Sequence, residues 1–434
     1  MTPFEMGLLS LPVMLVLILM RVPIMLAMFA VGVVGQVMIL GSWAPFMAQM
    51  KTITYSTFSS YSLSVIPMFL LMGQFASRGG LSRALFQAAK AFVGHRRGGL
   101  AQAAIAACGG FGAICGSSLA TAATMGQVAL PELRNHGYSD RLSTAVLAAG
   151  GTLGVLIPPS VVLVIYAILT EQNIAKLFMA AFIPGFLAIL GYMVTIGLMV
   201  NYGGEKETPQ PKTSWRERGA ALITIWPVKA IFLLVYGGNY MGWFSATAGA
   251  TGLYAYLKGE LTWPAFQDAV LETASSTAMI FAILLGAALF NSFLAFSRVP
   301  FEAAAFVGAL DVNPYLILTV ILVVYLILGC FMDSLSMIIL TIPVFFPVFQ
   351  TLDFGMGPEE AALWFGVLVL IVVEVGLITP PVGLNLFVIN KLAKDVPLAE
   401  SFRGVLPFVA SDLVRVVILT AFPGITLFAV HLLF

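Results

Sequence analysis

Charged residues, cysteine and histidine are all scarce in this sequence. Asp, Glu, Lys and Arg together make up 9% of the 434 residues, and there are three cysteines and three histidines. The cysteines lie in apolar segments without a CxxC pair, which argues against a disulfide framework and against a zinc site. The histidines are scattered, and neither HExxH nor GxSxG occurs. The sequence therefore lacks the metal or nucleophile constellation of an enzyme, and a net charge of +1 gives no sign of a nucleic-acid partner.

Hydrophobic residues are abundant instead, at 60% of the chain. Apolar runs of roughly 16–25 residues recur along it, about the length that crosses the core of a lipid bilayer. The pattern predicts an all-α polytopic membrane protein with about ten transmembrane helices. The predicted spans are 4–20, 22–41, 54–77, 140–170, 174–201, 219–237, 239–257, 275–297, 361–391 and 404–433. Two further apolar regions, 98–131 and 314–352, contain polar breaks, "CGSSLAT" and "CFMDSLS", and are predicted to be re-entrant helical hairpins.

The two halves of the chain resemble each other. The only Pro-Pro pairs, at 158–159 and 380–381, lie 222 residues apart, and Gly154 and Gly376 match at the same offset. Sliding the first half by this distance places every apolar block on a block of the second half. We therefore predict a first repeat at 1–201, a cytoplasmic linker at 202–218 and a second repeat at 219–434. Each half has an odd number of full crossings, so the second repeat must be inverted relative to the first.

The positions of lysine and arginine predict the orientation. With the N-terminus outside, these residues concentrate in the inner loops, and the outer loops receive only Lys51, Lys176 and Arg298. Both termini are then predicted to face the periplasm. The first apolar run lacks a basic n-region and a cleavage site, so we interpret it as the first span and not as a signal peptide.

Matching helix breaks in two inverted halves indicate the binding site of a transporter. The Pro-Pro pairs, in the predicted broken helices 140–170 and 361–391, free backbone carbonyls one turn earlier, and in lipid such groups survive only beside a cavity or an ion. Hard oxygen ligands for a small cation are predicted from the carbonyls of Gly154, Ile157, Gly376 and Thr379. The second half-helices, starting near Ser160 and Val382, would point free N–H groups at the same place.

Polar residues in apolar surroundings add further candidates. A hairpin tip near Gly116–Ser118 would let Ser117 or Ser118 cap the second arm and bind a cation, and Asp333 lies at the corresponding tip. A buried acid is a functional candidate. For Glu374 three roles stay open: ligand, proton carrier or paired structural acid. Asp412 is predicted to form an i, i+3 ion pair with Arg415. Two amphipathic stretches, 81–97 and 262–275, are predicted to lie in the membrane plane and to brace a moving, elevator-type block.

The blocks "GSSLATAATMG", "AAGGTLGVLIPPS", "GCFMDSLSMIILTIPVFFPV" and "EVGLITPPVGLNLFV" resemble the large membrane subunit of TRAP transporters (tripartite ATP-independent periplasmic transporters). The resemblance covers essentially the whole chain. It implies sodium-driven uptake of an organic anion across the bacterial inner membrane, such as a C4-dicarboxylate, a keto acid or a sialic acid. It also implies two partners, a periplasmic solute-binding protein and a small four-helix membrane subunit. We expect the small subunit to be a separate chain, since no such segment is fused at the N-terminus.

The family's sodium ligands would correspond to Ser117, Gly154, Ile157 and Pro159 in the first half, and to Asp333, Gly376, Thr379 and Pro381 in the second. After the hairpin aspartate this chain has Ser334-Leu335-Ser336, where many relatives have Pro-Thr. For the substrate anion the predicted contacts are Ser117, Ser118, Ser160 and Asn385. Two alternatives of the same architecture stay open: a stand-alone sodium-coupled dicarboxylate symporter, and a proton-coupled carrier that uses Asp333 or Glu374.

Overall fold

A computed structural model describes residues 1–20, 22–203, 207, 211–226, 261–309 and 312–434. The predicted span 239–257 lies outside these residues, as do most of the span 219–237 and part of the linker 202–218. Arg21, Lys206, Lys229 and Lys258, which bear on the predicted orientation, also fall outside. Throughout the described ranges the secondary structure is helical, and no strand occurs there.

The helices before the linker are α1 Pro3–Leu19, α2 Ile24–Leu40, α3 Trp43–Ser59, α4 Val65–Arg78, α5 Leu81–Val93, α6 Gly99–Cys115, α7 Ser118–Asn135, α8 Asp140–Leu156, α9 Val161–Leu169 and α10 Ile174–Tyr202. The described helices after it are α11 Trp215–Thr224, α12 Trp263–Ser297, α13 Val299–Ala309, α14 Pro314–Gly329, α15 Ser334–Gln350, α16 Pro358–Gly376, α17 Leu384–Leu392, α18 Leu398–Ala421 and α19 Pro423–Leu433. Among the described residues, α10, α12 and α18 are each long and apolar enough to cross a membrane. The pair α8 and α9, bent by 43° at its break, would make a fourth span.

Three predicted segments differ from the helices observed. The span 54–77 is divided, because α3 ends at Ser59 and a 3₁₀ turn precedes α4. The span 404–433 is also divided: the helix ends at Ala421, and Pro423, which lacks an N–H, opens a new helix. The separate interfacial helix 262–275 was a wrong prediction. Thr262 caps a single helix that continues to Ser297, because neither glycine nor proline interrupts the sequence around residue 275.

The helices form two groups. In the outer group, α12 packs against α1, α2, α3 and α4. The inner group surrounds α8 and α16, which are buried on all sides from Leu142 to Leu156 and from Ala362 to Gly376. A helix that is apolar all round belongs in the core of a large assembly. The core therefore runs along the two segments that precede the Pro-Pro pairs, and α6, α7, α14, α15, α17 and α18 pack around them.

Candidate functional site

Both Pro-Pro pairs lie at helix breaks. The first break separates α8 from α9 at residues 157–160, and the second separates α16 from α17 at residues 377–383. Both Pro-Pro peptide bonds are cis. The second half-helix, predicted to start near Val382, begins at Leu384, because Gly383 before it adopts a left-handed conformation with φ of 64°.

The tip of the first hairpin lies on the first break. Gly116, with φ of 65°, ends α6, and Ser117 caps α7 by accepting a hydrogen bond from the Ala120 N–H at 3.4 Å. A Cβ on Gly116 would lie 3.0 Å from the Pro159 carbonyl oxygen, and one on Gly154 would lie 2.6 Å from the Ser117 carbonyl oxygen. The predicted tip and its serine cap are confirmed, and the structure brings Ser117, Gly154 and Pro159 together.

The second hairpin meets the second break in a similar way. Asp333 caps α15 by accepting a hydrogen bond from the Ser336 N–H at 3.1 Å, and Gly329 contacts Gly376 backbone to backbone. The Gly376 carbonyl, predicted to be free, accepts a 3.1 Å hydrogen bond from the Thr379 N–H because the chain tightens into a turn after α16. A carbonyl oxygen has two lone pairs, so one remains for a ligand.

A cavity of about 120 Å³ lies between the two hairpin tips. Its polar side chains come from both tips, Ser117 and Ser118 from one and Asp333 and Ser334 from the other. The first residues of α7, α9 and α15 line this cavity, so the positive dipole ends of three helices meet at it. Leu70 of α4 and Ile280 of α12, both from helices of the outer group, form part of the cavity wall.

Two of the predicted substrate contacts do not line the cavity. Ser160 is fully buried and caps α9 by accepting a hydrogen bond from the Leu163 N–H at 3.4 Å. Asn385 is also fully buried, and its side-chain amide donates to the Ala148 carbonyl at 3.4 Å. Its Oδ1 has no hydrogen-bond partner among the described residues.

The oxygen atoms at the two breaks are suitable ligands for a small hard cation. Backbone carbonyls, a serine hydroxyl and the Asp333 carboxylate are all oxygen ligands, which alkali and alkaline-earth cations prefer. Within the described residues no cluster of three or more His, Cys, Asp or Glu side chains exists that would suit a transition metal. These oxygen atoms are the ligand type that a small hard cation prefers.

Glu374 makes the contact that sequence patterns missed. Its carboxylate accepts a hydrogen bond from the Ser334 hydroxyl at 2.6 Å and another from the Ser118 hydroxyl. The residue is 1% exposed, and no Lys, Arg or His pairs with it in the described part of the chain. Both serines are the first residues of the second hairpin arms.

The predicted ion pair of Asp412 and Arg415 is confirmed, with an N–O distance of 2.9 Å. Tyr192 donates its hydroxyl to the other Asp412 oxygen at 2.6 Å. Asp412 and Arg415 line a second cavity, between α10 and α18, and do not line the cavity at the tips.

Each half of the chain contains a helical hairpin that packs on a broken helix. This arrangement is typical of a secondary membrane transporter. The chain matches the family model described as "Tripartite ATP-independent periplasmic transporter, DctM component" over residues 11–425. The protein belongs to this family, the large permease component of TRAP transporters, and is therefore a membrane permease.

Individual relatives agree with the family match. The chain is 36% identical to the C4-dicarboxylate TRAP transporter large permease protein DctM of Pseudomonas aeruginosa, over 86% of this chain and 87% of that protein. It is 33% identical to the ectoine/5-hydroxyectoine large permease UehC of Ruegeria pomeroyi, over 97% and 98%. It is 31% identical to the sialic acid large permease SiaM of Vibrio cholerae, over 85% and 86%.

The fold itself is found in a solved structure. The crystal structure of the Alcanivorax borkumensis YdaH transporter matches with a TM-score of 0.65 and 16% sequence identity, covering 88% of this chain and 89% of that one. At this identity the likeness concerns the fold alone.

Proposed function

We propose that this chain is the large membrane subunit of a sodium-coupled secondary transporter that imports a small organic anion. The observation that carries the proposal is the cavity at the hairpin tips, where three helix N-termini meet cation-type oxygen ligands. Helix N-termini bind anions through free N–H groups and the helix dipole. A periplasmic binding protein would deliver the anion, and a small four-helix subunit would complete the membrane complex in the bacterial inner membrane.

The charge of Asp333 supports coupling to a cation. This carboxylate lines the same cavity that would receive an anion. Two negative groups in one partly desolvated site repel each other strongly, so the site needs a positive charge before the substrate can enter. Sodium fits the oxygen ligands around each break: Ser117, Gly154, Ile157 and Pro159 on one side, and Asp333, Gly376, Thr379 and Pro381 on the other.

The size of the cavity favours a small substrate. At about 120 Å³ it is below the roughly 300–1,000 Å³ that is usual for ligand pockets. No Lys or Arg lines it among the described residues, so the anion would be held by N–H groups and serine hydroxyls. A four-carbon dicarboxylate fits these limits better than a nine-carbon sugar acid. We therefore propose a small organic acid, such as a C4-dicarboxylate, as the substrate class.

The repeat architecture supports elevator-type transport. In each half a hairpin packs on a broken helix through glycine backbones, while α4 and α12 of the outer group each contribute one residue to the cavity wall. We propose that 1–201 and 219–434 are inverted repeats, that both termini face the periplasm, and that the hairpins and broken helices move together against α1–α4 and α12. Such a movement would expose the cavity to each side in turn.

Uptake measurements in proteoliposomes test this proposal. The chain would be reconstituted with its small subunit, and succinate, pyruvate and sialic acid would be supplied with and without a candidate binding protein. We expect uptake of succinate that requires both the binding protein and a sodium gradient. Uptake by this chain alone would support the stand-alone symporter instead. Uptake driven by a proton gradient without sodium would support the proton-coupled carrier.

A further inference from the structure

The two hairpin tips are connected through a single side chain. Ser118 is the first residue of α7 and Ser334 is the first residue of α15, so each stands at a tip. Both donate their hydroxyl hydrogen bonds to the two oxygens of the Glu374 carboxylate. The serines belong to opposite halves of the chain, whereas Glu374 lies on α16, two residues before Gly376. One buried group therefore holds three elements together.

The hydrogen bonds between Glu374 and these two serines also affect the residues next to the serines in the sequence. Ser117, next to Ser118, and Asp333, next to Ser334, are proposed sodium ligands, one at each break. A displacement of either serine must move the adjacent ligand, because consecutive Cα atoms stay 3.8 Å apart. The carboxyl group can bond both hydroxyls whether or not it carries a proton, since a hydroxyl both donates and accepts. The connection thus needs no change in the charge of Glu374.

We propose that Glu374 is a positioning residue that ties the two hairpin tips together, so that sodium binding at one break prepares the other. This inference rests on the proposed function. Once one ion has ordered its own tip, the bridge orders the second tip as well, and the second ion binds with a smaller ordering cost. The two ions would therefore bind cooperatively, and the closed form of the cavity would need both.

Glu374→Ala and Glu374→Gln separate this role from simple packing. Glutamine keeps one oxygen that accepts from a serine and an amide that can donate to the other serine, so the bridge survives. Alanine removes it. Ser143→Ala is a matched control, because Ser143 is buried on α8 and its hydroxyl has no hydrogen-bond partner among the described residues.

The first measurement is amide hydrogen exchange at residues 116–121 and 331–337, on the purified complex without sodium or substrate. In Glu374→Ala we expect exchange to rise at least about tenfold at both tips, and in Glu374→Gln and Ser143→Ala we expect little change. An increase at neither tip, or at only one, would overturn the proposal. If Glu374→Ala fails to fold, the Ser118→Ala and Ser334→Ala variants provide the same test, and each should loosen both tips.

The second measurement is the sodium dependence of uptake in proteoliposomes. In the unmodified transporter the uptake rate should depend on the sodium concentration sigmoidally. In Glu374→Ala this dependence should become hyperbolic, whereas in Glu374→Gln it should stay sigmoidal. A curve that stays sigmoidal in Glu374→Ala would contradict the coupling. If sodium does not activate the unmodified transporter at all, the proposed function fails, whereas the exchange measurement still decides whether Glu374 joins the tips.

Discussion

Gly376 and Gly329 touch through their backbones: a Cβ on Gly376 would lie 2.6 Å from both the Cα and the carbonyl carbon of Gly329. The other half of the chain has an equivalent contact, where a Cβ on Gly112 would lie 2.7 Å from the Cα of Gly154. Backbone atoms in packed helices cannot rotate away as the end of a side chain can. Each hairpin is therefore fixed to its broken helix at a point where only glycine fits.

Alanine at these contacts should separate the hairpins from the broken helices. For Gly376→Ala and Gly112→Ala we expect a loss of about 1–3 kcal/mol in the free energy of unfolding, as is usual for overpacked cores. Uptake should also fall, by more than the loss of stability alone would explain, because the proposed ion ligands at the breaks shift. Thermal unfolding in detergent and proteoliposome uptake would measure the two effects.

Gly424→Ala is the control for this pair. Gly424 lies in α19, and nothing is within 4 Å of the position where its Cβ would be. Because alanine favours a helix over glycine, this variant should be unchanged or more stable by roughly 0.5–1 kcal/mol. If Gly424→Ala and Gly376→Ala lowered the free energy of unfolding equally, the close glycine contacts would not be the cause of the loss.

The helix breaks and caps could be predicted from the sequence because their causes are local. A Pro-Pro pair interrupts a helix wherever it occurs, and a serine or aspartate after a glycine turn caps the next helix. The ion pair of Asp412 and Arg415 was also predictable, since residues three apart share a helix face. The start of α17 was missed by two residues because the left-handed conformation of Gly383 extends the second break.

The partners of Glu374 could not be predicted, because they depend on how distant segments pack. Ser118 is 256 residues away from it in the sequence. No spacing rule indicates which hydroxyl an isolated acid will meet after the chain has folded. The same limit applies to Ser160 and Asn385, which lie at the right breaks but are buried behind the cavity wall.

Asp333→Asn tests the proposed second sodium site without removing the helix cap. Asparagine caps a helix about as well as aspartate, so α15 should keep its start at Ser334. Loss of the carboxylate charge should raise the sodium concentration for half-maximal uptake by about tenfold or more, which is about 1.4 kcal/mol of ion binding. Sodium titrations of uptake would measure this shift, and an unchanged midpoint would remove Asp333 from the site.

Ser117→Ala is the corresponding test on the first break. It removes a hydroxyl ligand and also the cap of α7, which by itself costs about 0.5–2 kcal/mol of stability. Ser139→Ala removes a comparable cap, that of α8, at a position distant in sequence from the proposed ligands. Sodium activation should weaken in Ser117→Ala and stay normal in Ser139→Ala. A similar weakening in both variants would indicate a general effect of losing a cap.

Leu70→Trp should obstruct the cavity from the side of the outer group. Leu70 lines the cavity wall, and the larger ring would take up much of a volume of only about 120 Å³. We expect uptake to fall by at least about tenfold while the protein stays folded, because Leu70 is only partly buried and the cavity beside it gives the ring room. Met68→Trp, at a neighbouring position that is 40% exposed and does not line the cavity, should transport normally. Equal transport by both variants would place the substrate elsewhere.

The buried ion pair should behave as a structural unit. Asp412→Ala leaves the Arg415 guanidinium buried without its carboxylate, and removing one partner of such a pair costs about 3–5 kcal/mol. The double variant Asp412→Leu with Arg415→Met leaves no charge behind and should lie within about 1–2 kcal/mol of the unmodified protein. Tyr192 would lose one acceptor there but keep its 3.0 Å hydrogen bond with Thr152. Thermal unfolding of the single and double variants would give the coupling energy. Uptake provides the decisive comparison. The double variant should keep the sodium midpoint of the unmodified transporter, because neither Asp412 nor Arg415 lines the cavity at the hairpin tips. A shifted midpoint would show that Asp412 or Arg415 takes part in transport.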